Sequence, residues 1–335
     1  MLISEMERVV FSIIIPCRNA SKTIKRCLES VFNSSYRGFE VIVVDDSSID
    51  DSVRIAKEFP CKVITLSKHS GAGRARNEGA RNASGEVLFF IDSDCMFLEN
   101  TLETALYLYK KRPDSAIGGT YTKSPLDRDF FSRFQSLFIN YSETKSPMPD
   151  YLATHALVIK KDIFWQAGGF REDFPLPIIE DVEFSHRLKK HGITLLLEPR
   201  LQVIHIFNFS LIRSIKNAFR KALYWTAYSI GNKDILRDSG TASHELKINV
   251  IAVFLSLLFT ILGLITGSFY PFISAILMLG VNIFFNREFL RFLAKNSSYL
   301  FFIGAFAYYM SIYAISVGIG ALFGLGLFLK KGQIR

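Results

Sequence analysis

The chain has 335 residues, of which 49% are apolar and 31 are phenylalanine, too oily a composition for an ordinary soluble enzyme of this length, so part of it belongs in lipid. Its formal charge of +9 rests on basic residues that sit beside apolar spans, which points to an anionic membrane surface or a phosphorylated ligand and away from nucleic acid. The four cysteines, Cys17, Cys27, Cys61 and Cys95, have neither CxxC spacing nor paired histidines, which excludes a zinc site and a disulfide framework and suits a reducing compartment.

At the start, MLISEMERVV (1 to 10) holds no long apolar run, so no secretory signal is expected and the head is assigned to the cytoplasm. VFSIIIPC (10 to 17) is a continuous β-rich run. Ser21 follows as a helix N-cap, then Ile24, Cys27, Leu28, Val31 and Phe32 at helical spacing. EVIVVDD (40 to 46), a helix near 50 to 59, KVITL (62 to 66), a helix near 73 to 83 and EVLFFID (86 to 92) repeat the alternation. Unbroken apolar strands alternating with helices predict an α/β fold, a mostly parallel sheet with helices on both faces, whose ligands gather at the carboxyl ends of strands. Those ends carry residues 16 to 19, Asp45 with Asp46, and Asp92 with Asp94, and should converge on one crevice. From about 113 to 210 the pattern is mixed: Gly118-Gly119, a helix around 129 to 143, strand ALVIK (156 to 160), GGF (168 to 170), a helix over 181 to 191, then strands ITLLLE and VIHIF. No linker-like composition intervenes, so 1 to 209 reads as one domain.

SLIRSIKNAFRKALYWTAYSI (210 to 230) puts Leu211, Ile215, Ala218, Phe219 and Ala222 on one side and Arg213, Lys216, Arg220 and Lys221 largely on the other. Such a basic amphipathic helix, with Trp225 and Tyr228 beside it, either lies at a membrane interface or packs on the head, and 210 to 245 is read as juxtamembrane helices. From 248 to 286 no residue is charged, enough for two spans of about 20 residues each, with Gly267, Ser268 and Pro271 at the turn. A second uncharged stretch, 296 to 329, is long for one span and short for two, with Gly318 and Gly320 as its only turn signal. Arg287, Arg291 and Lys295 place the middle loop inside, whereas Lys330, Lys331 and Arg335 would also prefer the inside, which needs an even number of spans. Three spans are expected within 246 to 335, with a re-entrant or four-span tail as the alternative.

Asp92-Ser93-Asp94 is where the chemistry concentrates. Two carboxylates at i and i+2 leaving a strand point the same way, and hard oxygen ligands suit Mg²⁺ or Mn²⁺, which completes its shell from phosphate oxygens and water. A D-x-D alone is most often a solvated turn, but at the end of a buried strand its carboxylates need a counter-charge. The ordered set SIIIPCRN (12 to 19), VIVVDDSSIDDS (41 to 52), GAGRARNEGARNASGEVLFFIDSD (71 to 94), GGF, EDVEFSHRLKKHG (180 to 192) and His205 resembles the nucleotide-sugar glycosyltransferases of family 2, whose fold is called GT-A. The resemblance covers roughly residues 10 to 207.

It implies that Pro16 and Arg18 line the nucleotide pocket, that one of Asp45 or Asp46 meets the base, and that Arg76, in an A-R-N motif, reaches the nucleotide. It further implies that Asp92 approaches the ribose, Asp94 binds the metal with His205 completing its shell, and Asp181 of the E-D motif is the general base. Glu180, Arg213 and Arg220 are assigned to the acceptor or membrane side. Asp181 could equally cap its helix, and His205 could be an ordinary strand histidine. Processive members of the family carry Q-x-x-R-W after the E-D helix, and FRKALYW is not that string, so addition of a single sugar is expected. The membrane tail would hold a lipid-borne acceptor at the bilayer. An intact Glu180-Asp181 favours a hydroxyl acceptor on a lipid-linked glycan; the alternative is polyprenyl phosphate, whose oxygen is already anionic and needs no base. A Rossmann dehydrogenase would require G-x-G-x-x-G after the first strand, where PCRNASK has no glycine, and a scaffold without activity would not need the acidic set.

Overall fold

The computed structural model describes residues 10–173, 176 and 178–331, so the expectations for residues 1 to 9 and for Arg335 fall outside it. The chain divides into two compact units, one running to Asp127 with Glu143–Phe207, the other comprising Arg128–Ser142 and the chain from Asn208 onward.

The first unit opens with β1 (Phe11–Cys17), α1 (Ile24–Phe32), β2 (Phe39–Asp45), α2 (Ser52–Ala56), β3 (Lys62–Thr65), α3 (Ala72–Arg81) and β4 (Val87–Phe90). It continues through β5 (Cys95–Phe97), α4 (Thr101–Lys111) and β6 (Ser115–Tyr121). After α5 (Phe130–Thr144), all but the last two residues of which group with the second unit, come β7 (Leu157–Lys160), α6 (Lys161–Gln166), α7 (Glu180–Lys190) and β8 (Thr194–His205). Eight strands form one sheet in the order β3-β2-β1-β4-β7-β6-β8-β5. The first four are parallel, as the alternation predicts, but β7 runs antiparallel to both β4 and β6, and β5 antiparallel to β8. The sheet is therefore mixed in its second half. Ile14, Ile42, Val44, Leu88 and Phe90 pack with Ala75, Phe164, Phe170 and Phe184 on one face. Their strand neighbours Ile13, Ile15, Val43 and Phe89 are as deeply buried on the other. Burial on both faces is why these strands are unbroken apolar runs, each large side chain contributing about 1.5–3 kcal/mol.

Three local expectations are corrected. Ser21 is not an N-cap: its N–H goes to the Asp50 carboxylate, the Ala20 carbonyl accepts from Thr23 and Ile24, and the helix starts only at Ile24. The strand before the acidic pair stops at Phe90, so Asp92 and Asp94 lie in a turn. The two strands read in ITLLLE and VIHIF are one, β8, whose pairing with β6 shifts register around Pro199, a residue that cannot donate to the ladder.

In the second unit, α8 (Leu211–Asn232) and α9 (His244–Thr266) begin on Ser210 and Ser243, whose hydroxyls accept from Arg213 and Leu246 N–H. Gly267 ends α9 in the left-handed conformation. Then follow α10 (Tyr270–Phe285), α11 (Arg287–Lys295), α12 (Tyr299–Tyr308), a π-turn (Tyr309–Tyr313) and α13 (Ala314–Lys331). Among the described residues two helices are long and apolar enough to cross a membrane, His244–Thr266 and Tyr299–Lys330; a third candidate exists if α10 and α11, bent by 63°, count as one span. Residues 299–330 form one continuous helix, with Gly318 and Gly320 inside it rather than at a turn. There Gly320 and Gly324 serve close packing: a Cβ on either would lie 2.4 Å from the carbonyl of Phe219 or Leu223 on α8. The amphipathic segment thus packs its small-residue side against α13.

Candidate active site

The loops at the carboxyl ends of β1 and β2 are tied to each other. Asn19 and Ser47 both adopt left-handed backbone. Asn19 N–H donates to Ser48 Oγ (2.9 Å), and its side-chain oxygen accepts from Ile49 N–H (2.9 Å). Asp45, fully buried, accepts from Ser48 N–H (3.2 Å). Asp46, also buried, accepts from Ser70 N–H (2.6 Å) and Gly71 N–H (2.9 Å), an approach that Gly71 permits at φ +91°. Its second oxygen is 2.7 Å from His69 Nδ1, while His69 Nε2 is 2.9 Å from Arg18. Arginine only donates, so Nε2 accepts and Nδ1 carries the proton to Asp46. An Asp46–His69–Arg18 relay therefore fixes the guanidinium beside the loop. Pro16 is half-buried in β1, opposite Val44.

The acidic pair splits between two partners. Cys95 N–H donates to the Asp92 carbonyl (3.0 Å), closing the turn that carries both carboxylates. Asp92 meets Arg76 at 2.7 Å, and Arg76 meets Glu180 at 2.9 Å. The Arg76 guanidinium, 4% exposed, joins the acidic turn to the start of α7 through its two terminal nitrogens, while its Nε has no hydrogen-bond partner among the described residues. Enclosure alone would raise the Asp92 carboxyl, but the Arg76 charge and hydrogen bond outweigh it and hold it below the usual carboxylate range. Asp94 has no such partner and is pushed up to about 7, first by enclosure and then by the Asp92 carboxylate.

Pairing of Cys95 with His205 across β5 and β8 sets Asp94 Oδ1 3.6 Å from His205 Nε2. Asp94, Cys95 and His205 offer ligand atoms within 4.8 Å of one another. Two ligands at ~2.1 Å from one small cation lie at most ~4.2 Å apart, so Asp94 and His205 fit a Mg²⁺- or Mn²⁺-sized ion. Cys95 does not fit a hard cation, because burial and the nearby aspartates keep its thiol protonated. The His205 ring stacks on Phe207 (3.8 Å) and meets the edge of Tyr121 (4.8 Å).

Asp181 sits in the first turn of α7 with Glu180 and Glu183, where negative charge is favoured, and accepts from Val182 N–H (2.8 Å). The motif residue after Arg76 serves a different purpose. Asn77 donates to the Phe170 carbonyl (2.7 Å) and accepts from Phe170 N–H (2.9 Å), locking the GGF turn to α3. Arg213 and Arg220 belong to α8 in the second unit, where both are exposed. Sequence reasoning missed His155, which is 5% exposed, stacks on Tyr121 at 4.0 Å and lies 3.5 Å from the Glu143 carboxylate. Only tertiary folding of the short helical turn before β7 brings it there, and no local motif announces it.

With this geometry in place, comparison with known proteins gives the class. The glycosyl transferase family 2 model matches residues 12–168 of this chain. Its fold is shared with the mannosyltransferase PcManGT from Pyrobaculum calidifontis, solved with GDP-Man and Mn²⁺, at TM-score 0.57 and 18% identity over 95% of this chain and 88% of that one; the fold is GT-A. Glycosyltransferase GlyG of Streptococcus pneumoniae is 33% identical over 129 residues, 36% of this chain and 42% of that protein. The UDP-Glc:α-D-GlcNAc-diphosphoundecaprenol β-1,3-glucosyltransferase WfgD of Escherichia coli is 34% identical over 119 residues, 35% of this chain and 47% of that protein. The matched segments span less than half the length of these two relatives.

Proposed function

We propose that the chain is a membrane-bound inverting glycosyltransferase that moves one sugar from a UDP- or GDP-linked donor to a hydroxyl of a lipid-linked glycan. The observation that carries this reading is the Asp92–Arg76–Glu180 bridge, which couples the turn bearing Asp94 to the helix bearing Asp181. Asp94 and His205 would hold Mg²⁺ or Mn²⁺, and such an ion, when bound, neutralises charge developing on the leaving diphosphate. Pro16, Arg18 and the Asp45–Asp46 loops enclose the nucleotide, and Asp92 takes a ribose hydroxyl. Arg76 acts as a positioning residue for both acidic motifs. Asp181 accepts the proton of the acceptor hydroxyl as that oxygen bonds to the anomeric carbon from the face opposite the departing diphosphate, inverting the configuration. Glu180, Arg213 and Arg220 serve the acceptor and membrane side. The head works in the cytoplasm and the tail anchors it in the cell membrane. Support comes from the donor and cation in the PcManGT complex and from the lipid-linked acceptor in WfgD's name.

The test incubates membranes containing the full chain with radiolabelled nucleotide sugars. Label from one of them is expected in the organic phase; none from any would overturn the reading. A second reading, transfer to polyprenyl phosphate, is favoured by one observation, the engagement of Asp181 with its own helix N–H. Under the first reading Asp181→Asn loses at least about 100-fold in turnover with metal binding intact; near-normal turnover selects the second.

A further inference from the structure

The second unit contains a cavity of ≈ 390 Å³ whose lining, drawn mainly from α5, α8, α9 and α13, is mostly apolar, Phe138 and Leu322 included, with Gln135, Lys221, Trp225 and Lys247 among its polar groups. Lys221 and Trp225 stand one turn apart on the same side of α8, and Lys247 of α9, whose ammonium donates to the Arg237 carbonyl, lies 5.1 Å over the Trp225 ring. Two buried polar atoms of the lining have no hydrogen-bond partner among the described residues: the Trp225 indole Nε1 and the Oε1 of Gln135, a side chain 1% exposed. An indole N–H without an acceptor and an amide oxygen without a donor are costly beside hydrocarbon, so the site is built for a molecule that supplies both.

We infer that this cavity binds the chain and anionic head of a prenyl-phosphate lipid. The apolar lining takes the hydrocarbon, and Lys221, the ammonium hydrogens that Lys247 does not give to Arg237, and the indole N–H would be the donors for a phosphate oxygen. Gln135 takes a hydroxyl, as a sugar-bearing or singly protonated phosphate head has. The volume lies near the small end of the ~300–1,000 Å³ range of small-molecule sites, room for one chain and not for the two of a bilayer phospholipid. The choice of a prenyl chain rests on the lipid-linked acceptor proposed above. The cavity is lined wholly by the second unit, so the binding can be read without the transfer reaction.

The full chain in phosphatidylcholine nanodiscs is titrated with tritiated geranylgeranyl phosphate in the absence of any nucleotide sugar. Saturable binding is expected, weakened at least tenfold by Lys221→Gln with Lys247→Gln, weakened severalfold by Trp225→Phe, and restored by Lys221→Arg with Lys247→Arg. Geranylgeraniol should compete poorly, and discs enriched in phosphatidylglycerol should leave binding in place. Absent saturation, indifference to the lysine changes, or equal competition by the alcohol or by phosphatidylglycerol would overturn the inference, the last marking a general lipid groove. Nucleotide binding measured on the same samples separates this failure from a failure of the transferase reading and reports whether each variant is folded.

Discussion

Arg76 illustrates what a motif residue can be doing. Its type and position are legible in A-R-N, but its partners lie 16 and 104 residues away and appear only in the fold. Removing it strands two carboxylates, so Arg76→Ala should cost about 3 kcal/mol, visible as a fall of roughly 6–12 °C in the head's thermal transition, and Arg76→Lys should recover part of it. A melting temperature unchanged in the alanine variant would contradict the bridging role. Asp94 makes a second prediction. Folded, its carboxyl keeps a proton up to about pH 7; unfolded, such a group loses it near ~3.9. The folded state thus binds more protons between those values, so this group's contribution to stability falls as pH rises through that window. A cation must displace the same proton, so Mn²⁺ affinity should drop about tenfold per unit below pH ~7 and level off above it. Manganese titrations followed by electron paramagnetic resonance from pH 5.5 to 8.5 would show this; a flat profile would not fit. The pair Asp92 and Asp94 was readable from its place after an apolar strand, whereas its division between Arg76 and His205 depends on a turn and on β5–β8 pairing that no local pattern encodes.

At the scale of elements, long apolar strands and periodic helices declare themselves, and short pieces do not. β5 has three residues and β6 holds Gly118-Gly119, so neither shows a strand signature, yet β5 brings Asp94 to His205 and β6 carries Tyr121. The helices of the tail were legible as apolar runs, but the polar network inside them was not. Asn282 donates to Asn249, Asn249 donates to the Tyr309 carbonyl, Asn286 donates to Asn282, and the Tyr309 hydroxyl donates to Asn286. All four residues are essentially fully buried. Asn282→Leu should cost about 1–2 kcal/mol by leaving amides unpaired beside hydrocarbon, measurable as a lowered midpoint of detergent-induced unfolding. Gly320→Val should cost a similar amount, because its side chain meets the Phe219 carbonyl and forces α8 and α13 apart.

Over the whole molecule, composition foretold a polar head and an oily tail, and the charge pattern left the number of crossings open. The described residues offer two or three candidate spans. We favour three: α10, with 16 residues, reaches ~24 Å, and α11 turns its Arg287, Arg291 and Lys295 side to the surrounding medium while burying Phe289 and Leu293, as an interfacial helix does. With the head inside, Ser268→Cys should react with an impermeant maleimide added outside intact cells, and Ser297→Cys only after permeabilisation; equal reactivity of both from outside would refute three crossings. The account as a whole stands on a donor site in the head assembled around Asp94 and His205. Calorimetric titration of the full chain with UDP and with GDP, each with and without Mn²⁺, tests it most directly: one nucleotide should bind, its heat should require the cation, and Asp94→Ala with His205→Ala should abolish it. Binding of neither nucleotide, or binding indifferent to both the cation and the substitutions, would contradict it.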